Sequence, residues 1–229
     1  MCFPGQVFPP NFNCMKLGLI FDLDGTLVDS LPGIAASLNH ALGVSGFPGH
    51  VHADVRRFIG NGSWVLAKRA APAGTPDEVI GGIEAAFKVH YDATWNLGTA
   101  PYAGIPELLV ELQKRGHRLA VLSNKPHPFT EAIVDALFPG IAFDVVVGQR
   151  SGIPHKPDPA GAFEVVKAFG LPPEDCVLIG DSTIDLETAR NAGIGSVAVT
   201  WGYHDRAPLE AASPDALVDD VASLLAALG

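Results

Sequence analysis

Positive charge is scarce in this chain, cysteine is scarcer, and long apolar runs are missing. Only 15 Lys and Arg stand against 25 Asp and Glu, a formal net charge of -10. That balance argues against nucleic acid as the main partner, because a phosphate backbone recruits clustered Lys and Arg. It leaves room for a small anionic substrate, since a metal ion and one or two lysines in a cleft outweigh a diffuse surface charge locally. The three cysteines, Cys2, Cys14 and Cys176, form no C-x-x-C pair, so there is no disulfide framework and no zinc signature. Cys176 opens an apolar run and reads as a small core residue. No stretch approaches the roughly 18 apolar residues of a membrane-spanning helix. The N-terminus has no early basic region, and Pro and Gly break its apolar runs, unlike a signal peptide. The expectation is a cytoplasmic protein with no membrane partner. Residues 1–15 read as a disordered tail, Met15 being either a true start or the end of an added tail.

What is present is a chain of 229 residues, 48% apolar and 17% charged, enough for a well-buried core in one domain with an insertion. The period of its apolar pattern alternates. Leu17 to Phe21 is a continuous apolar run, as in a strand buried on both faces. Leu31, Ile34, Ala35, Leu38 and Leu42 follow with helical spacing. From about residue 104 strands and helices alternate: helix 105–115, strand 118–122, helix 126–137, strand 143–147, a helix capped by Asp158 with Pro159 at N1 and stopped by Gly170, strand 176–179, helix 183–192, strand 196–200 and a last helix from Val221. Alternation of this kind predicts an α/β fold with right-handed crossovers and a parallel sheet covered on both faces. Residues 31–98 break the pattern and read as helices only, at 31–42, 52–58, 63–71 and 76–93. The predicted organisation is a core of 16–30 and 99–229 with an inserted all-helical cap over 31–98. Trp64 and Trp95 read as core residues of that cap.

In a parallel sheet ligands bind beyond the carboxyl ends of the strands, and the residues able to do chemistry fall there. The first strand runs into Asp22-Leu-Asp24-Gly-Thr26, two carboxylates that are costly to crowd unless a cation or a shared proton compensates. Taken alone, Asp-Gly is also an ordinary turn. The strand ending at Leu122 delivers Ser123-Asn124-Lys125, a hydroxyl and backbone N–H groups suited to phosphate oxygens. His155-Lys156-Pro157 places a cation before a helix, and the strand ending at Ile179 leads to Gly180-Asp181 and Asp185. His127, His155 and His204 follow strands and are candidates for the cleft mouth.

These four segments, D-x-D-G-T, a Ser after the second strand, K-P before a helix, and G-D-x-x-x-D, resemble in order the four motifs of the haloacid dehalogenase superfamily, from Lys16 to the C-terminus. The resemblance implies a Rossmann-like doubly wound core and a magnesium-dependent phosphatase. Asp22 would be the nucleophile and Asp24 the acid and base; the metal ligands would be the Asp22 and Asp181 carboxylates and the Asp24 backbone carbonyl. Ser123, the Asn124 N–H and Lys156 would hold the phosphate oxygens, and Asp185 would act through a water or orient Lys156. Arg57-Phe-Ile-Gly-Asn-Gly62 and Thr200-Trp-Gly-Tyr203 look closest to the phosphoglycolate phosphatase branch, with Arg57 or Lys68 meeting a second anionic group of a small phosphorylated metabolite. His155, Trp201 and His204 depart from that branch's usual residues. Three alternatives stay open: a general sugar-phosphate, nucleotide or pyrophosphate phosphatase; a phosphotransferase of the β-phosphoglucomutase kind; and a non-catalytic binding protein on the same fold. The sequence leaves monomer and homodimer equally open.

Overall fold

A computed structural model describes residues 17–229, and the expected tail over 1–15 lies outside the described residues. Strands β1 (Gly18–Phe21), β4 (Arg118–Pro126), β5 (Val145–Gln149), β6 (Cys176–Gly180), β7 (Gly195–Val199) and β8 (Ala216–Val218) form one sheet in the order β5-β4-β1-β6-β7-β8. All its pairings are parallel. Strands β2 (Val28–Asp29) and β3 (Ala100–Pro101) make a separate antiparallel ribbon, where the chain leaves the sheet and returns to it. Between them lie helices α1 (Leu31–Val44), α2 (His52–Phe58), α3 (Ser63–Ala70) and α4 (Asp77–Thr94). The rest are α5 (Ile105–Lys114), α6 (His127–Leu137), α7 (Ala160–Phe169), α8 (Thr183–Ala192), α9 (Arg206–Ala211) and α10 (Val221–Ala227). No described helix is long and apolar enough to cross a membrane.

The sheet strands read as unbroken apolar runs because both faces are covered. Leu19, Phe21, Val121 and Ile179 pack with α5, α6 and α10 on one side; Ile20, Ala120, Leu122 and Leu178 pack with α7 and α8 on the other. Cys176 is buried there, as its apolar setting implied. Helices α1 to α4 close around their own apolar cluster, including Leu38, Leu42, Leu66, Ile83 and Phe87. Trp95 bridges that cluster and the sheet core. Trp64 departs from expectation: it is 37% exposed and contributes little to the core.

Several boundaries also differ. Strand β4 runs on to Pro126, past a register shift after Leu122. Strand β5 starts at Val145, because Phe143 leaves the strand to pack edge-on against Phe138. Helix α7 starts at Ala160, whose N–H donates to the Asp158 carboxylate at 2.9 Å, so Asp158 caps from one residue further out than expected.

His117, just before β4, makes stability pH-dependent. Its Nδ1 accepts the Leu17 N–H at 3.1 Å, while its Nε2 is buried without a partner. Burial, helped by Arg115, holds its pKa below the ordinary 6.5. The folded chain therefore keeps the ring neutral while the unfolded chain takes up a proton, so this contribution is full above pH 6.5 and is lost as pH falls through it. The melting temperature should fall between about pH 8 and about pH 5, and His117→Asn, which keeps an acceptor but cannot titrate, should remove part of that fall. Parallel curves for both proteins would rule His117 out as a contributor.

Candidate active site

Registry brings the motif residues together. In the β4-β1-β6 strip Phe21 lies level with Val121 and Ile179, so Asp22, Ser123 and Asp181 leave the same sheet edge within a residue or two of one another. The Asp22 Oδ1 accepts the Leu23 N–H at 2.7 Å and lies 2.9 Å from the Lys156 Nζ. The same ammonium donates to Asp185 Oδ1 at 2.7 Å and to the Leu122 carbonyl at 3.0 Å. Two hydrogen bonds and the ion pair with Asp22 fix the buried cation. Asp185 is itself fixed by a capping box at the start of α8: its Oδ2 accepts the Ser182 hydroxyl at 2.6 Å and the Ser182 N–H at 3.2 Å.

Asp181 Oδ2 accepts the Tyr203 N–H at 2.6 Å, and Oδ1 accepts the Thr26 hydroxyl at 3.3 Å. The turn after Asp24 needs glycine twice over: Gly25 sits at φ +86°, and a Cβ there would lie 2.3 Å from Asp181 Oδ2.

Asp24 faces a different set. Its Oδ1 accepts the Ser30 hydroxyl at 2.5 Å, and Lys125 Nζ reaches its two oxygens at 3.1 and 3.0 Å. Lys125 is buried in turn beneath the Tyr91 ring of α4, 4.7 Å from its centroid. Sequence reasoning had Lys125 at the site only for its backbone and Tyr203 only within a branch-like motif, and missed both side-chain roles and Tyr91 altogether. A lysine inside a buried strand was the available signal for the first; Tyr91 only continued the apolar stripe Ile80, Ile83, Phe87 of α4.

One carboxylate oxygen from each of Asp22, Asp181 and Asp185 lies within 4.8 Å of the other two. Burial raises the Asp22 pKa to about 7, with the Asp185 charge adding and Lys156 opposing. Asp181 is also raised, by burial first and then by the Asp22 and Asp185 charges. Burial works against the Lys156 charge, but Asp185 and Asp22 outweigh it and raise its pKa. Three buried carboxylates facing one ammonium leave an uncompensated negative charge, and hard oxygen donors this close fit a divalent cation.

A cleft of about 860 Å³, open mouth included, lies over these groups, with Asp22, Asp24, Ser123 and Lys125 on its floor and Ile59, Leu66, Phe87, Lys88 and Tyr91 on its helical wall. Asn124 borders it with its side chain already committed: the Nδ2 donates to the carbonyls of Lys156 at 3.1 Å and Gly60 at 3.0 Å, and the Oδ1 accepts the Lys156 N–H at 2.8 Å. Arg57 and Lys68, expected at this wall, do not line it. Both are exposed, because the inward faces of α2 and α3 are taken by Val55 and by Leu66, Ala67 and Ala70; Lys68 pairs with Asp77 at 3.6 Å instead. The cation that the helical block does put on the wall is Lys88, held by Glu84 at 2.8 Å. Of the three histidines, His204 lines the cleft, His155 packs beside Gly62 and His127 accepts the Gly148 N–H away from it.

The family model for haloacid dehalogenase-like hydrolases matches residues 19–199, a span that holds all four motif segments. The chain belongs to that family. Among its haloacid dehalogenase-like relatives, a phosphoglycolate phosphatase of Pseudomonas fluorescens is 34% identical over 97% of this chain and 80% of its own. One of Pectobacterium atrosepticum is 33% identical over 93% of this chain and 92% of its own. A crystal structure of a proposed phosphoglycolate phosphatase from Lactobacillus delbrueckii subsp. bulgaricus superposes with a TM-score of 0.88 at 32% identity, covering 93% of this chain and 99% of that one.

If the carboxylate cluster holds a divalent cation, protons compete with it. Added Mg²⁺ should raise the melting temperature, by about 2.7 kcal/mol of stability at a hundredfold excess over Kd. Affinity should strengthen as pH rises through about 7, where Asp22 gives up its proton. Calorimetric titration on either side of neutrality measures this; an affinity that does not change with pH would contradict it.

Proposed function

We propose that this chain is a magnesium-dependent phosphate monoester hydrolase working through an aspartyl-phosphate, with 2-phosphoglycolate as its main substrate. The observation that carries the reading is the hold on Asp22: Oδ1 is fixed by the Leu23 N–H and Lys156, while Oδ2 has no hydrogen-bond partner among the described residues. That is the state of an oriented nucleophile. The substrate rests on the relatives named phosphoglycolate phosphatase, matched over nearly the whole chain.

Phosphate monoesters hydrolyse so slowly unaided that a barrier reduction of more than ~20 kcal/mol is required. Two displacements divide the task. In the first, Asp22 attacks phosphorus, the P–O ester bond breaks, and the departing oxygen takes a proton from Asp24. In the second, water attacks the phosphorus of the acyl phosphate, gives its proton to Asp24, and phosphate leaves as Asp22 is restored. Ser123, the Asn124 N–H and Lys156 would stabilise the equatorial oxygens. Mg²⁺, a hard cation suited to octahedral oxygen ligands, would be held by the Asp22 and Asp181 carboxylates and the Asp24 carbonyl, with Asp185 orienting Lys156 by their direct ion pair. When bound, it supplies charge neutralisation between nucleophile and phosphoryl dianion.

The helical block over 31–98 acts in this reading as a cap that excludes water when shut. Supporting contacts already join it to the core: Asn124 to the Gly60 carbonyl at 3.0 Å, and Arg56 Nε to the Tyr203 carbonyl at 2.5 Å. A second reading, a phosphatase of broader selectivity, is favoured by one observation. The helical wall of the cleft is largely apolar, lined by Ile59, Leu66, Phe87 and Tyr91, and is not built for one small polar acid.

Phosphate release from a panel of monoesters decides between them. The expected outcome is hydrolysis of 2-phosphoglycolate far ahead of sugar phosphates, lost with chelator, and reduced on the order of 10³-fold or more by Asp22→Asn. Comparable rates across the panel would keep the chemistry and replace the substrate. Activity surviving both chelator and Asp22→Asn would overturn the mechanism.

A further inference from the structure

The segment Trp201-Gly-Tyr203 follows β7, carries no acid or base of the reaction, and yet is sewn to the loop that holds both catalytic carboxylates. Trp201 Nε1 donates to the Thr26 carbonyl at 3.1 Å. Gly202 sits so close that a Cβ there would lie 2.2 Å from the Asp181 Cβ and 2.3 Å from the Gly25 carbonyl. Tyr203 is buried and offers two separate polar contacts. Its backbone N–H donates to Asp181 Oδ2 at 2.6 Å, and its hydroxyl accepts the Ser30 N–H at 2.9 Å.

Hydrogen counting fixes where the Ser30 proton goes. Ser30 Oγ lies 2.5 Å from Asp24 Oδ1, and a carboxylate oxygen accepts, so the single serine hydrogen goes to Asp24. The Tyr203 hydroxyl is 3.2 Å from the same Ser30 Oγ and 3.4 Å from Asp29 Oδ1. With its proton committed to Asp24, Ser30 does not donate to Tyr203, whose own single hydrogen faces both the Ser30 Oγ and the Asp29 carboxylate. The link to Asp24 therefore runs from the Tyr203 hydroxyl, which fixes Ser30 by accepting its N–H, through the Ser30 O–H to Asp24 Oδ1.

We infer that Tyr203 is a positioning residue for Asp24, acting through Ser30 to aim the Asp24 carboxyl at the leaving oxygen while its backbone anchors Asp181. This rests on the assignment of Asp24 as the acid of the first displacement. Arg56 of the helical block donates to the Tyr203 carbonyl, so the segment that aims Asp24 is also one that the cap touches.

An acid that is poorly aimed matters in proportion to how much the leaving group needs a proton. An alkoxide such as glycolate's cannot depart without one, whereas p-nitrophenolate departs readily unprotonated. The test compares kcat/KM, which covers events only through departure of the leaving group, for 2-phosphoglycolate or another alkyl phosphate and for p-nitrophenyl phosphate. Three variants are measured: Tyr203→Phe, which keeps the ring and removes the hydroxyl; Ser30→Ala, which removes the direct donor; and Asp24→Asn as reference.

The expected result is a fall of about tenfold or more for the alkyl ester in Tyr203→Phe and a larger one in Ser30→Ala, with p-nitrophenyl phosphate changed by less than about threefold in both. Equal losses on the two substrates, or no loss on either, would overturn the positioning role. If Asp24→Asn itself shows no dependence on leaving group, the acid assignment fails, and the inference with it. If Asp24→Asn shows the dependence and Tyr203→Phe does not, only the inference falls.

Discussion

One buried ammonium holds the site together. Lys156 Nζ is shared among Asp22, Asp185 and the Leu122 carbonyl, and these come from β1, α8 and β4, three elements brought side by side by the parallel sheet. Removing one partner of such a group leaves an uncompensated charge in the interior, which costs about 3–5 kcal/mol. The order of the strands, the capping box that fixes Asp185, and the hydrogen bonds from Asn124 to both the Lys156 N–H and carbonyl all serve to hold that cation. Asp22 takes its orientation from this arrangement.

A second, separate cation serves the other carboxylate. Lys125 meets Asp24 with both oxygens engaged, and α4 closes over it with the Tyr91 ring. Burial works against the Lys125 charge, but Asp24 outweighs it and its pKa is raised. The two aspartates two residues apart thus sit in different surroundings. Asp22 shares its space with like charge and one lysine, while Asp24 has a lysine and a serine hydroxyl of its own. The third cation of the cleft, Lys88, belongs to the helical wall and is matched by Glu84.

The sequence made the sheet legible because a strand buried on both faces has no polar residue to interrupt it, as Leu19 to Phe21 and Cys176 to Ile179 show. Helices α7 and α8 ended where Gly170 and Gly193 take left-handed backbone, again a local signal. Asp22, Asp24, Ser123 and Asp181 were readable because each follows the apolar run of a strand, and Lys156 because its Lys-Pro pair leads into a helix. What stayed hidden lacked a local period. Strands β2 and β3 are two residues each, too short to alternate. The direction of Arg57 and Lys68 depends on which faces of α2 and α3 the Val55 and Leu66 side chains occupy, and a charge's sequence position does not reveal that. Lys125, Tyr91 and Tyr203 join the site through contacts across 101 residues from Asp24 in the first case and 173 from Ser30 in the last; only the folded chain brings them there.

The central claim is that Asp22 becomes covalently phosphorylated. Rapid quenching during turnover of a phosphomonoester with Mg²⁺, followed by borohydride reduction and peptide mass spectrometry, tests it directly, since an aspartyl-phosphate is reduced to homoserine and a free carboxylate is not. The account predicts homoserine at position 22, absent without substrate. Turnover with Asp22 unmodified in the quenched enzyme, or with homoserine at another aspartate, would contradict it.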